Sequence, residues 1–162
     1  MPEARGDVPD VVVFPPLILL AVLLAALVLQ GLAPLGLLQA VPFLVRLGLA
    51  ILLLGGGVAL SVAAIRTFTR LGTAVRPSQP ATALATTGPF AWTRNPIYLA
   101  GYPVMLALAL AFALDWIVPG LALATLVLHR GVILREERYL EARFGQSYRD
   151  YRARVPRYLG PF

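Results

Sequence analysis

Four stretches of this chain, about 11–38, 41–65, 97–114 and 116–134, are apolar over nearly their whole length. A helix needs about 20 residues to cross about 30 Å of hydrocarbon, and each stretch comes close to or exceeds that. Hydrophobic residues fill 59% of the 162 positions and charged residues 14%, more apolar mass than one soluble core of this length absorbs. The surplus requires lipid. The length leaves room for one domain of a few spans and too little for a separate soluble catalytic domain, so the membrane part must itself carry the function.

Punctuation sets the expected ends of these spans. The first is predicted from about residue 14 to residue 32, with Pro15 and Pro16 in its first turn and Gly31, Pro34 and Gly36 at its exit. In the second, Gly55-Gly56-Gly57 offers a face that a neighbouring helix can approach closely. It has no following strand and no nearby acid, so it is not a dinucleotide fingerprint. The third and fourth stretches are separated only by Asp115 and a nearby Pro119-Gly120 and read as a helical hairpin. The leading MPEARGDVPD is acidic and proline-bearing, unlike the basic lead of a signal peptide, so the first span is expected to be retained.

Charge orients the spans. All fourteen basic residues are arginine and the formal net charge is +6, but the arginines cluster beside apolar spans rather than along a soluble face, which argues against nucleic acid. Arg66, Arg70, Arg76 and Arg94 lie between spans two and three. Arg130, Arg135, Arg138, Arg143, Arg149, Arg152, Arg154 and Arg157 follow span four. The positive-inside rule makes both segments cytoplasmic, with both termini on that side and Asp115 on the other. The setting expected is a bacterial inner membrane. Cysteine is absent, which excludes disulfides, thiolate zinc sites and a cysteine nucleophile.

After the last span, Leu140, Phe144, Tyr148, Tyr151 and Val155 recur at steps of three or four among arginines and acids. This pattern predicts an amphipathic helix ended by Pro156. Its aromatic stripe, with Tyr139 and Tyr158 nearby, suits a lid packed over the bundle, or a helix lying on anionic headgroups.

Polar residues beside a bilayer are costly and therefore informative. The densest run is TTGPFAWTRNPIYLAG, residues 86–101. Gly88-Pro89 makes a turn, and Asn95-Pro96 holds Asn95 out of the helical region so that span three begins at Pro96 or Ile97. The N–H groups of that helix start form a cradle for a carboxylate or ribose, though a Gly-Pro turn before an Asn-Pro start is also ordinary loop chemistry. The second run is Arg135-Glu136-Glu137. Adjacent carboxylates on a helix project about 100° apart, so one can face inward and the other water, unless both belong to a solvated face. His129, the only histidine, precedes Glu136 by two turns. It suits an interfacial hydrogen bond as well as catalysis, and no second histidine is available for a metal site.

Taken in order, the Gly72-Thr73 loop with Pro77, TTGPFAWTRNPIYLAG, an apolar hairpin and REERYLEARFGQSYRDYRARVPRYLGPF resemble the isoprenylcysteine carboxyl methyltransferase and phospholipid methyltransferase superfamily over roughly the C-terminal half. The resemblance implies S-adenosylmethionine as cofactor. It assigns Leu84, Ala85, Gly88, Phe90, Arg94, Asn95, Pro96 and Tyr98 to the cofactor pocket, closed from the other side by Glu136 and Glu137. Arg135 and Glu136 are the catalytic candidates, with Arg135 on the acceptor side. Asn95 stands where the eukaryotic carboxyl methyltransferases carry histidine, a departure that bears on the acceptor.

The expectation is thus an all-α, integral membrane four-helix bundle with a cytoplasmic C-terminal amphipathic helix. It is one methyltransferase domain over 1–162, with two spans in 1–66 and the cofactor loop, hairpin and lid in 67–162. It works on a lipid-like or apolar methyl acceptor, with the bilayer as its partner and no obligate protein partner. The competing readings are a non-catalytic lipid-binding or scaffold protein and an NADPH-dependent relative of the sterol reductases. The latter carry a different aromatic and aspartate pattern after the helix start than Ile97-Tyr98-Leu99-Ala100-Gly101.

Overall fold

A computed structural model describes residues 14–75 and 79–159. The acidic leader, Arg76, Pro77 and the closing 160–162 lie outside the described residues. Among those described, the chain is helical with no strand: α1 (Pro15–Leu32), α2 (Phe43–Leu71), α3 (Pro96–Phe112), α4 (Ile117–Leu128), α5 (Leu134–Phe144) and α6 (Gln146–Arg154). Short 3-10 turns cover Leu38–Ala40 and Gly88–Ala91, and a π-helical turn, His129–Ile133, joins α4 to α5.

Three helical runs are long and apolar enough to cross a membrane: Pro15–Leu32, Phe43–Leu71 and the continuous Ile117–Phe144. Pro96–Phe112 is apolar but has 17 residues, about 25 Å of rise. Two differences from the sequence pattern stand out. α2 runs on through Arg66 and Arg70 to Leu71, six residues past the apolar stretch, since nothing in Arg66–Leu71 breaks a helix. The tail is two helices rather than one: Gly145 takes φ +54, accessible at little cost only to glycine, and separates α5 from α6.

The chain divides into two compact units. One contains residues 14–59 and 98–128. Its core is Ala26, Met105, Ala109, Leu114, Ile117 and Leu121, with Leu19, Val22, Leu23 and Tyr102 packed around it. Small residues permit close approach here. A methyl group on Gly57 would sit 2.9 Å from the Ala100 carbonyl oxygen and 2.8 Å from Val104. Gly55 and Gly56 have open space, so the contact expected of the triplet falls to its third member.

This unit is pinned at one end by Asp115, which is 4% exposed. Its carboxylate accepts from the Leu38 N–H at 2.8 Å, the Gly36 N–H at 3.0 Å and Gln30 Nε2 at 3.3 Å. The Asp115 N–H donates back to Gln30 Oε1 at 3.1 Å, and Trp116 Nε1 donates to the Ala33 carbonyl at 2.8 Å. A turn residue in the sequence is thus an acceptor that satisfies the backbone of the α1–α2 link. Just before it, Ala113 takes φ +53 and the Leu114 N–H reaches the Ala109 carbonyl, a left-handed helix end built without glycine. Arg46 donates to the Leu110 carbonyl at 3.2 Å, placing a cation at the C-terminal end of α3.

Candidate functional site

The second unit holds residues 60–97 and 129–159, and most of the sequence-predicted site residues fall in it. Its apolar frame has two parts. Ala64, Ala85 and Phe90 pack with Phe68 and Ile97, the Phe68 and Phe90 rings 4.8 Å apart. Tyr148, Tyr151 and Val155 pack with Leu84, Leu140 and Phe144. The tail stripe is therefore buried within this unit despite the break at Gly145. The two parts are joined by the Tyr151 hydroxyl, which donates to the Phe90 carbonyl at 2.7 Å.

The loop before the 86–101 run is tied down by hydroxyls. Thr73 Oγ1 accepts from the Thr82 and Ala83 N–H groups, Thr82 Oγ1 donates to the Gly72 carbonyl, and Tyr139 accepts from the Ala81 N–H. The chain then reaches Gly88 at φ +61, where a Cβ would lie 3.0 Å from Thr67 Oγ1. Glycine is needed there both for conformation and for space.

The polar heart is an ion cluster on Glu137, a carboxylate with 7% exposure. Arg157 grips it with two prongs, Nε to Oε1 at 2.9 Å and Nη2 to Oε2 at 2.8 Å. Arg94 approaches from the other motif, Nη1 to Oε1 at 3.1 Å, close enough for an ion pair but without the angle of a hydrogen bond. Arg94 Nε and Nη1 are buried and have no hydrogen-bond acceptor among the described residues. The Tyr148 hydroxyl is likewise buried without a well-formed hydrogen bond, though the Arg94 guanidinium lies within hydrogen-bonding reach of it. Burial, reinforced by Glu137, pushes it up to about 12, while Arg94 pulls the other way. Burial and its neighbour Tyr148 raise Tyr151 further. The Arg157 guanidinium is pushed up by its hydrogen bonds to Glu137.

The segment bearing Arg157 straps the cluster together. Its carbonyl accepts from Thr93 Oγ1 and Asn95 Nδ2, both at 3.1 Å, and the Pro156 carbonyl accepts from the Arg94 N–H at 2.9 Å. The Asn95 amide is thus committed to the backbone of the strap. Pro96 is fully buried at the start of α3, as the Asn-Pro pattern requires.

The expected residues separate accordingly. Arg94, Asn95 and Glu137 are brought together through Arg157. Of the glutamate pair Glu137 faces inward, while Glu136 and Arg135 are half-buried in the first turn of α5. Leu84, Ala85 and Phe90 belong to the apolar frame, Gly88 is exposed, and Tyr98 is half-buried in the first turn of α3. In the charge pattern Arg157 is one more cytoplasmic arginine, and Thr93 stands out by nothing but its place in the 86–101 run. His129 Nδ1 meets the Tyr158 hydroxyl at 2.9 Å, the hydrogen-bonded alternative rather than a lone catalytic group.

Helices long and apolar enough to cross a membrane, in a chain that also buries an arginine-flanked carboxylate, define an integral membrane protein. Residues 45–147 match the phospholipid methyltransferase family. The chain belongs to that family, and so to the membrane methyltransferases in general terms. An uncharacterized protein of Haemophilus influenzae is 40% identical over 65 residues, covering 39% of this chain and 100% of that protein. No solved structure matches the chain.

Proposed function

We propose that this protein methylates a lipid-like or apolar acceptor at the cytoplasmic face of a bacterial inner membrane, with S-adenosylmethionine as methyl donor and both termini on that face. The observation that carries the reading is the buried Arg94 guanidinium, whose Nε and Nη1 lack an acceptor although Glu137 stands beside it. Such donors are costly to bury and call for an anionic partner. The cofactor's amino-acid end offers a carboxylate for Arg94 and an ammonium for a glutamate, so the residues present fit it.

When bound, the cofactor supplies an electrophilic methyl group on a sulfonium. The chain's own part is alignment and exclusion of water. Arg94, with Glu137 behind it, holds the carboxylate of the charged end, Gly88 lets the backbone come close, and the Phe90 frame keeps the neighbourhood dry. Leu84, Ala85, Asn95, Pro96, Tyr98 and Glu136 complete the proposed pocket, with Arg135 turned toward the acceptor. The tail, packed on Leu84 and Phe90 rather than left as a free stripe, is read as the lid. Four spans place the helices, with α3 the short one. The almost wholly apolar α1 and α2 suit an acceptor that arrives from the bilayer.

Sealed vesicles test the chemistry and the orientation together, because the charged cofactor does not cross lipid. Labelled S-adenosylmethionine added outside inverted inner-membrane vesicles is expected to label a lipid-soluble product, and outside right-side-out vesicles it is not. The reverse result overturns the orientation. No product in either, with no saturable binding of S-adenosylhomocysteine to the purified protein, overturns the function in favour of a lipid-binding scaffold.

A further inference from the structure

We propose that Arg157 is a positioning residue for an anionic ligand at Arg94: by taking up the charge of Glu137 in a two-pronged pair, it leaves the Arg94 guanidinium positive and its donors open. The inference rests on the function proposed above and deepens it, because it names what makes that site select an anion. Arg157 lies beyond residue 147, where the family match ends.

The argument is one of charge and geometry. One carboxylate faces two guanidiniums, so the cluster carries a net charge of +1 (2 − 1). Where that charge resides depends on which arginine Glu137 engages. Arg157 makes both well-formed hydrogen bonds, at 2.9 and 2.8 Å, the fork geometry in which arginine and carboxylate bind most strongly. Arg94 has only the 3.1 Å approach of Nη1. Without Arg157, the carboxylate would be left to Arg94 alone, and a forked Arg94–Glu137 pair would be neutral with its donors occupied. With Arg157, the excess positive charge and the orphaned donors sit on Arg94, where its side chain is 10% exposed and the field is little screened. The neighbouring Tyr148 hydroxyl, buried without a well-formed hydrogen bond and within reach of Arg94, adds a donor.

The strap makes this arrangement fixed rather than incidental. The same three residues that carry Arg94 into place, Thr93, Arg94 and Asn95, are hydrogen-bonded to the carbonyls of Pro156 and Arg157. The two guanidiniums are therefore held at set positions on either side of one carboxylate, and Arg157 reaches the ligand only through Glu137 and Arg94.

A purely structural salt bridge makes a different prediction, and a pair of probes separates the two. S-Adenosylhomocysteine carries the zwitterionic amino-acid end with its carboxylate, and 5′-methylthioadenosine keeps the nucleoside and thioether but lacks both the carboxylate and the ammonium. Calorimetry on the detergent-purified full chain is expected to show that Arg157→Gln weakens S-adenosylhomocysteine about ten-fold or more, the scale of one charge-assisted hydrogen bond. The affinity for 5′-methylthioadenosine is expected to hold within about two-fold. Arg157→Lys, which keeps the charge but not the fork, should fall between wild type and glutamine for the first probe alone. Unchanged S-adenosylhomocysteine affinity, or equal losses for both probes, overturns the proposal. If thermal unfolding shows that Arg157→Gln does not fold, Arg157→Lys decides by the same comparison: a loss confined to S-adenosylhomocysteine supports the role, and an equal or absent loss removes it. Wild-type protein that binds neither probe refutes the cofactor reading itself, and this inference falls with it.

Discussion

In the unit of residues 14–59 and 98–128, helices meet through alanine, glycine and aliphatic side chains, and charge enters chiefly at one end, where Asp115 caps the backbone of a loop. In the unit of residues 60–97 and 129–159, loops and short helices are held by hydroxyls, carbonyls and a buried ion cluster. Lipid explains the difference. Between helices in a bilayer the solvent is as apolar as the side chains, so association relies on close packing, and polar groups are worth placing only where backbone must be satisfied. The second unit buries ions and loop backbone, which need fixed donors and acceptors, and rigid hydrogen-bonded loops supply them. The first unit has exposed leucines along α1 and α2 as its lipid-facing surface. The second buries the Glu137 carboxylate against two guanidiniums.

The sharpest way to break the second unit is at that carboxylate. Glu137→Gln leaves two guanidiniums around a neutral amide, and removing one partner of a buried ion pair typically costs about 3–5 kcal/mol. Arg157 is partly exposed, so the lower end is expected, together with loss of S-adenosylhomocysteine binding. Unfolding by sodium dodecyl sulfate titration reads the first and calorimetry the second. A variant as stable as wild type would show that the cluster is solvated and that the contrast between the units is misplaced.

The complementary break is Asp115→Ala in the first unit. It leaves the Gly36 and Leu38 N–H groups and Gln30 without their acceptor, at about 1–3 kcal/mol for each buried orphan, part of it recovered by relaxation. The expected total is about 2–3 kcal/mol, measured by the same titration, with ligand affinity of the folded protein unchanged. A parallel fall in S-adenosylhomocysteine affinity would mean that the Asp115 loop and the proposed ligand site are energetically one structure.

How far the sequence reveals these two units differs for the same physical reason. The apolar unit is written in composition: length and punctuation locate α1, α3 and α4 to within a few residues, because a span must be long and uninterrupted. The ends are less legible. α2 overruns its apolar stretch because helix propensity continues through Arg66 and Arg70, and the tail breaks at a single Gly145 that a periodic stripe passes over. In the polar unit, the runs at 86–97 and 135–137 are the ones the sequence singles out, and they supply Arg94 and Glu137 to the ion cluster. Their pairing through Arg157 is invisible, because one arginine among fourteen carries no local signal of a carboxylate 20 positions away. Asn95 shows the converse: a residue chosen for a ligand has its amide nitrogen bound to the strap backbone. Asp115 looks like a turn marker, and only the folded loops reveal it as an acceptor.

The smallest effect expected concerns the tyrosines at the centre of the polar unit. An ordinary tyrosine ionises near pH 10, and Tyr148 is raised to about 12 by burial first and by Glu137 second, with Tyr151 raised as well. Both hydroxyls are therefore neutral in the folded chain at pH values where the unfolded chain has already lost those protons. Because the unfolded state binds fewer protons in that range, stability falls as pH rises. The contribution is whole below about pH 10 and is lost progressively up to about pH 12. Titration followed by tyrosinate ultraviolet absorbance should show a component of the six tyrosines lagging the rest while helicity persists. Tyr148→Phe should shrink it. That variant also removes a buried hydroxyl that makes no well-formed hydrogen bond but lies beside Arg94, so it is expected to change stability by no more than about 1 kcal/mol, less than Tyr151→Phe, which strips the Phe90 carbonyl of its donor. If all six tyrosines ionise together near pH 10 with the fold intact, the aromatic stripe is open to water, and the tail does not pack as the lid that the polar unit requires.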